Sequence, residues 1–401
     1  MPARFRTDPA TTPVVVACCR TAIGEAHRSR GVFRRVRGDE LAAAVVEQAV
    51  ARSGIDPATI DDVVVGATRQ RGEQAGNLGR IAGLMAGLPP TAAGTTVNRL
   101  CGSSLQALAQ ACHAIAAGAE NVQVVAGVEH MLHLPPDDAG EIHPRALARS
   151  SPGTLSLGLT VERLATSGGI SRRRQEEFAL ASHQRAARAH ADGLFAGEIV
   201  PIVGHDEAAA VVEVWVDQSV RPDASLEAMA ELEPSVLPGT GTITAATSAP
   251  AGDGAAALVV MSAAEAARQG VEPMARVAAT AVAGVPPAVP GTGPVVAIRK
   301  LLARAAARGI AAGDIDLFEL SEVFAAQAIH CIDALGLDPA RVNVRGGSLA
   351  LGHPPGASGA RLATTLLHAM RDRDARLGLA TTCIGMGQGI AVLFERAEPG
   401  P

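Results

Sequence analysis

Apolar residues fall along this chain in alternating strand-like and helix-like rhythms. Val14-Val15-Val16-Ala17-Cys18-Cys19 is an unbroken apolar run of strand length, the pattern of a strand covered on both faces. Leu41 to Ala51, preceded by Asp39, has helical spacing and stops near Gly54, where Asp56-Pro57 opens a turn. Val63-Val64-Val65 reads as a second strand, and Asn77 to Ala86 as a helix ended by Gly87 and Pro89-Pro90. Leu105, Leu108, Ala109, Cys112, Ile115 and Ala116 recur at three- and four-residue steps, which predicts a helix with one buried face. Val122 to Ala126 is the next strand. Strands alternating with helices predict α/β architecture, with a mostly parallel sheet covered by helices.

From about His130 to Pro250 the rhythm breaks into histidines, prolines and acidic residues, as in an inserted subdomain. Inside it Ser171 to Asp192 reads as a helix with Ser171 in capping position and Phe178, Leu180 and Ala181 among its apolar residues, while Pro234 to Gly241 reads as loop. The α/β pattern resumes with the run Ala255 to Val260 and a helix from Ala263 to Gln269. An internal echo follows. Ala51-Arg52-Ser53-Gly54-Ile55 with Ile60-Asp61-Asp62-Val63 recurs as Ala307-Arg308-Gly309-Ile310 with Ile315-Asp316-Leu317-Phe318, and both halves then reach a Val-Asn pair, Val97-Asn98 and Val342-Asn343. Duplication of one α/β unit is the natural inference. It divides the chain into a first half, residues 1–129 plus 250–271, an insert, 130–249, and a second half, 272–401.

With 401 residues and 48% hydrophobic content, the chain can bury several substantial cores. A net charge of -5 gives no reason to expect nucleic-acid binding, and the arginines between Arg28 and Arg37 read as a solvated loop that could also meet a phosphate-bearing cofactor. Six cysteines without regular spacing describe neither a disulfide framework nor a zinc site, so no metal is expected. No signal-like apolar core opens the chain, and no run approaches the roughly 18 apolar residues of a membrane span. The expected location is cytoplasmic. Only 2% of residues are aromatic, none of them tyrosine, so packing must come from Ala, Val, Leu and Gly.

Thr96-Val97-Asn98-Arg99-Leu100-Cys101-Gly102-Ser103-Ser104 delivers a cysteine to the start of a predicted helix. The first amides of a helix lack backbone partners and carry partial positive charge, so a thiolate there is expected to have a lowered pKa, with the two serines capping orphan amides. Taken alone, such a cysteine is more often a buried structural thiol. Two further glycine-rich sites change that reading: Asn343 to Arg361, containing Gly352-His353-Pro354-Pro355-Gly356, and Thr382-Cys383-Ile384-Gly385-Met386-Gly387.

Cysteine, histidine and cysteine, each among glycines, resemble the three signatures of the thiolases, and the resemblance runs over about residues 13 to 396. It is closest to the bacterial 3-ketoacyl-CoA thiolases of fatty acid β-oxidation, sharing also Gly127-Val128-Glu129-His130-Met131. The resemblance implies a duplicated α/β/α, five-layered fold whose inserted loop domain covers coenzyme A. It implies thiolytic cleavage of 3-ketoacyl-CoA to acetyl-CoA and a shortened acyl-CoA, with coenzyme A as co-substrate and no permanently bound cofactor. Cys101 would be the acylated nucleophile, His353 would take its proton, and Cys383 would exchange a proton with the substrate's alpha carbon. Amides of Cys101 and Gly385 would hold one oxyanion, and His353 with a water the other. Family members form homodimers or homotetramers, and some associate with the multifunctional β-oxidation enzyme.

Two positions depart from the pattern, and a third keeps it. Where the family has Asn, or His, before Glu-Ala-Phe, fixing the water that partners the histidine, this chain has Ser321. Ala249 stands where many thiolases have a serine touching the pantetheine arm, a role Ser248 could take over. Arg221 occupies the place of an arginine against the nucleotide, and reads equally as a surface ion-pair partner. The competing readings are a biosynthetic acetoacetyl-CoA thiolase, an acyl-carrier-dependent ketoacyl synthase, which would pair its cysteine with two histidines, and a degenerate thiolase kept as a non-catalytic binding subunit.

Overall fold

The computed structural model of the chain describes residues 8–135, 143–148, 150 and 152–396; the chain's opening and part of the insert lie outside the described residues. The first half runs β1 (Pro13–Thr21), α1 (Gly38–Ser53), β2 (Asp62–Gly66), α2 (Leu78–Met85), β3 (Ala93–Val97), α3 (Ser103–Ala116) and β4 (Val122–His130). The insert contributes α4 (Leu157–Ser167) and α5 (Arg172–Ala191), after which β5 (Gly252–Ser262) completes the first half. The second half is β6 (Ala275–Gly284), α6 (Gly293–Ala305), β7 (Leu317–Leu320), α7 (Ala325–Leu335), α8 (Pro355–Asp372), β8 (Leu377–Ile384) and β9 (Gln388–Arg396).

Duplication is written into the strand order. The first half runs β3-β2-β4-β5-β1, and the second runs from an isolated bridge at Val342 through β7-β8-β9 to β6. In chain order within each half, both read third, second, fourth, fifth, first. The second half's third strand has shrunk to the Phe318 to Val342 bridge. The echoed Gly54 and Gly309 both end their helices in the left-handed conformation, at φ 67° and 73°, which glycine adopts without steric cost. The expectation of a mostly parallel sheet needs correction. β2 runs parallel to β3 and β4, and β7 to β8, but the fifth strand of each half returns antiparallel to the fourth and the first. In the second half the return is a tight turn between β8 and β9, which leaves no room for a crossover helix.

Five layers result because the inner strands bury both faces. Val63 and Val65 of β2 face Leu41, Val45 and Leu78 of the outer helices α1 and α2, while Val64 between them faces inward. The middle layer is α3 and α8, whose Leu105, Leu108, Leu362 and Leu366 share one core with Leu258 of the first sheet and Val392 and Phe394 of the second. α6 and α7 cover the far side through Ile298, Leu301 and Ile332. The helices that follow Cys101 and His353 are therefore packed in the interior. Ser171 caps α5 by accepting from the Arg174 amide. No helix among the described residues is long and apolar enough to cross a membrane.

Candidate active site

α3 and α8 meet backbone to backbone at their first turns. A side-chain carbon on Gly359 would lie 2.6 Å from the Leu105 nitrogen, and Ser104 Oγ accepts from the Ala360 amide at 2.9 Å. This contact sets the turn before α3, with Cys101, beside the turn before α8, with His353. From the other sheet, a carbon on Gly102 would lie 2.4 Å from Ile384 Cδ1, so the Cys101 turn also rests on the end of β8, next to Cys383. Cys101, His353 and Cys383 are 9%, 7% and 8% exposed. Cys101 and Cys383 line one small cavity, about 10 Å³, with Leu157, Val161, Phe324, Gln327 and Gly385. The Cys101 and Cys383 signatures thus share one cavity, and the contact between α3 and α8 brings the turn that carries His353 alongside the turn that carries Cys101.

The electrostatics correct one expectation. The Cys101 thiol is pushed up to about 11, because burial in the middle layer outweighs hydrogen bonding from the Gly385 backbone and its own amide and the field of Arg69. A helix start is favourable to a thiolate, but less than loss of water is unfavourable. The serines do not cap α3 either. Ser103 Oγ accepts from the Arg99 amide at 3.0 Å and donates to Leu100 O at 2.6 Å, and Ser104 serves Ala360, so Gly102 stands at the cap without a side-chain bond. Cys383 is pushed well above the ordinary thiol range by burial and by the neighbouring Cys101, against the hydrogen bond of Ser321.

His353 is held down at about 4 by burial and by Arg361 and Arg69. Ser358 Oγ lies 2.8 Å from its Nδ1 and donates to Pro354 O at 2.8 Å. A hydroxyl has one proton, so the serine accepts from Nδ1–H and leaves Nε2 as a bare lone pair. That Nε2 is buried and has no hydrogen-bond partner among the described residues. A residue five places along a helix gives no signal in the sequence, and Ser358 was not singled out there. Gly385 is not dictated by packing, since a carbon added to it would meet only Leu100 Cδ1, at 3.4 Å.

A wider cleft of about 610 Å³ adjoins this centre, lined among others by Arg30, His183, Arg221, Ser248, Ala249 and Pro250. Its floor, Ser248 to Ala251, bridges to Phe324 at one end and to His353 at the other. The Arg221 guanidinium is 60% exposed and pairs with Glu25 at 3.1 Å. Ser248 Oγ donates to Thr244 O at 2.9 Å, and the Ala249 amide donates to Val323 O at 2.9 Å. Ser321 Oγ accepts from the Cys383 amide at 3.2 Å and donates to its sulfur at 3.8 Å. Glu73, His130 and His133 cluster closely enough to suggest a metal, yet both nitrogens of His133 already have partners, Glu73 and Arg34 O.

The chain matches the family description "Thiolase, N-terminal domain" over residues 13–264 and "Thiolase, C-terminal domain" over 271–396. It belongs to the thiolase family. This thiolase is 46% identical over 387 residues to a 3-ketoacyl-CoA thiolase of Shewanella frigidimarina, covering 96% of this chain and 99% of that one. It is 46% identical over 388 residues to one of Aeromonas hydrophila, with the same shares. Among solved structures it resembles the Bacillus anthracis acetyl-CoA acetyltransferase, with a TM-score of 0.87, 35% identity and 96% and 99% of the two chains covered. Human mitochondrial 3-ketoacyl-CoA thiolase in complex with CoA also superimposes with a TM-score of 0.87, at 31% identity over 97% and 99% of the chains.

Proposed function

We propose that this thiolase is a 3-ketoacyl-CoA thiolase, an acetyl-CoA C-acyltransferase that cleaves 3-ketoacyl-CoA through an acyl-Cys101 intermediate. The observation that carries the reading is a buried cavity shared by Cys101 and Cys383, with the Gly385 backbone directed at the nucleophilic sulfur. The resting pair is a thiol and a neutral imidazole, since Cys101 sits near 11 and His353 near 4. Sulfur is therefore deprotonated as it attacks, with Nε2 of His353 as general base. The amides of Cys101 and Gly385 receive the oxyanion at the attacked carbonyl; each such donor is commonly worth about 3 kcal/mol of barrier. Cys383 returns a proton to the alpha carbon of the departing acetyl-CoA enolate, and coenzyme A then takes the acyl group from sulfur.

Coenzyme A is a co-substrate, and the wide cleft supports its binding: Arg221 for a phosphate or the nucleotide, and the Ser248 and Ala249 segment for the pantetheine arm that leads towards His353. The enzyme works in the cytoplasm, in fatty acid breakdown, as a homodimer or homotetramer, in some settings alongside a multifunctional β-oxidation enzyme. Incubation with 3-ketoacyl-CoA substrates of increasing length tests the reading. Acyl groups of matching mass are expected on Cys101 alone, and their absence from every substrate would overturn it, leaving the non-catalytic subunit. The second reading, an acetoacetyl-CoA thiolase, draws support from the small thiol cavity and requires acetoacetyl-CoA to be cleaved far faster than any longer homologue.

A further inference from the structure

Ser321 follows the last residue of β7, fully buried, with its amide donating to Thr381 O at 3.0 Å. The parallel pairing of Leu320 with Thr381 sets Ser321 one residue further along, where its hydroxyl reaches Cys383 on the neighbouring strand. Both hydrogen bonds of its hydroxyl go to that one residue, the Cys383 amide at 3.2 Å and the Cys383 sulfur at 3.8 Å. A hydroxyl has a single proton, so a Ser321 that donates to sulfur cannot also donate towards His353. In keeping with this, His353 Nε2 has no hydrogen-bond partner among the described residues. The short serine arm thus serves Cys383, where the asparagine implied by the family resemblance would serve a water beside the histidine.

We propose that Ser321 is a positioning residue for Cys383, governing proton exchange at the substrate's alpha carbon rather than acyl transfer through Cys101. This inference rests on the thiolase reading above. In the cleavage direction the Cys383 S–H bond breaks, the proton bonds to the alpha carbon of the acetyl-CoA enolate, and the enolate's electron pair becomes the new C–H bond. In the reverse direction the alpha C–H bond breaks, its electron pair moves into the enolate, and the proton bonds to the Cys383 thiolate. A donor to sulfur strengthens as sulfur becomes anionic, so Ser321 stabilises the thiolate side of this exchange. The bond from the Cys383 amide fixes the same hydroxyl on the backbone, which holds the sulfur's direction as well as its charge.

The experiment separates two half-reactions in the full-length enzyme. Acetyl transfer is followed as exchange of labelled coenzyme A into acetyl-CoA, and alpha-proton exchange as deuterium entering acetyl-CoA in heavy water by NMR. Ser321→Ala is expected to slow alpha-proton exchange about tenfold more than coenzyme A exchange, as for loss of one charge-assisted hydrogen bond. It should also move the pH profile of alpha-proton exchange upward by about one unit, and Ser321→Thr, which keeps the hydroxyl, should recover most of the rate. Ser321→Gly serves as a second deletion if the alanine variant folds poorly. Equal losses in both half-reactions, or an unmoved pH profile, would overturn the inference while leaving the thiolase reading intact. Neither exchange in the wild-type protein would instead overturn the thiolase reading, and this inference with it.

Discussion

The carboxylate of Glu129 accepts a hydrogen bond from the amide of Gly356 at 3.0 Å, across 227 residues of chain. Gly356 lies in the first turn of α8, whose amides lack helical partners, so a carboxylate on β4 caps the helix that follows His353. The same carboxylate accepts from the Thr68 amide at 3.1 Å and from Gln74 Nε2 at 2.9 Å, and Asn98 Nδ2 donates to Thr68 O at 2.9 Å just ahead of Cys101. One buried acid thus ties the turn after His353 to the approach of Cys101.

Glu129→Gln should therefore cost both stability and rate. Hydrogen bonds to a buried charge are worth about 1.5–3 kcal/mol each, and the amide side chain can replace only part of the set. A loss of about 2–4 kcal/mol in urea unfolding is expected, with a parallel fall in kcat. An unchanged midpoint would mean that the carboxylate is not holding the two turns together.

Ser358→Ala removes the acceptor that keeps the His353 proton on Nδ1. The ring then samples the other tautomer, and the base is blocked for part of the time. We expect kcat to fall about 10- to 100-fold with the KM for coenzyme A little changed, in line with the loss of an orienting partner. Ser358→Thr should retain most of the rate, and steady-state kinetics on the three proteins decides the matter.

Stability should depend on pH in two opposed ways. His353 and His183 both titrate near 4 in the fold, below their ordinary 6.5, so the unfolded chain takes up protons that the native protein refuses. Their contribution is fully present above 6.5 and is lost as pH falls towards 4. Glu319 is pushed up to about 8 by burial, even against its 3.0 Å pairing with Arg361; one of its oxygens has no partner, and Glu322 and Glu198 add to the shift. Its contribution is present below 4.5 and is lost as pH rises to 8. Between 6.5 and 8 only the Glu319 effect among these three remains, and there Glu319→Gln should gain about 2 kcal/mol relative to wild type. Denaturant titrations at the two ends of that window provide the measurement.

Gly347→Ala should be among the most damaging single substitutions. The added carbon would lie 2.3 Å from the Glu322 carboxyl carbon, and that carboxylate is already held by Ser182 Oγ at 2.7 Å and Asn343 Nδ2 at 2.6 Å. We expect a loss of about 3 kcal/mol or more, because the acid has no free direction in which to move. A melting temperature within two or three degrees of wild type would contradict it.

Reading the chain alone identified the strands with unbroken apolar runs, such as Val14 to Cys19, but passed over β3. Ala93-Gly94-Thr95-Thr96-Val97 is an edge strand with half-exposed small residues, so no apolar run marks it. Cys101, His353 and Cys383 were visible because the glycine-rich motifs around them resemble the thiolase signatures. Ser358 and Arg69 were invisible as parts of the site, since neither spacing nor composition reports what faces a distant residue.

The sequence by itself determined the alternation of elements and the repeat of one unit, because periodicity is a local property, and its resemblance to the thiolases singled out three candidate side chains. Only the tertiary structure decided their chemistry. Burying α3 and α8 between two sheets raises a thiol that its helix start would lower, and the register of β7 against β8 commits the Ser321 hydroxyl to Cys383. Desolvation and register depend on what packs against a residue, and that partner lies tens to hundreds of positions away.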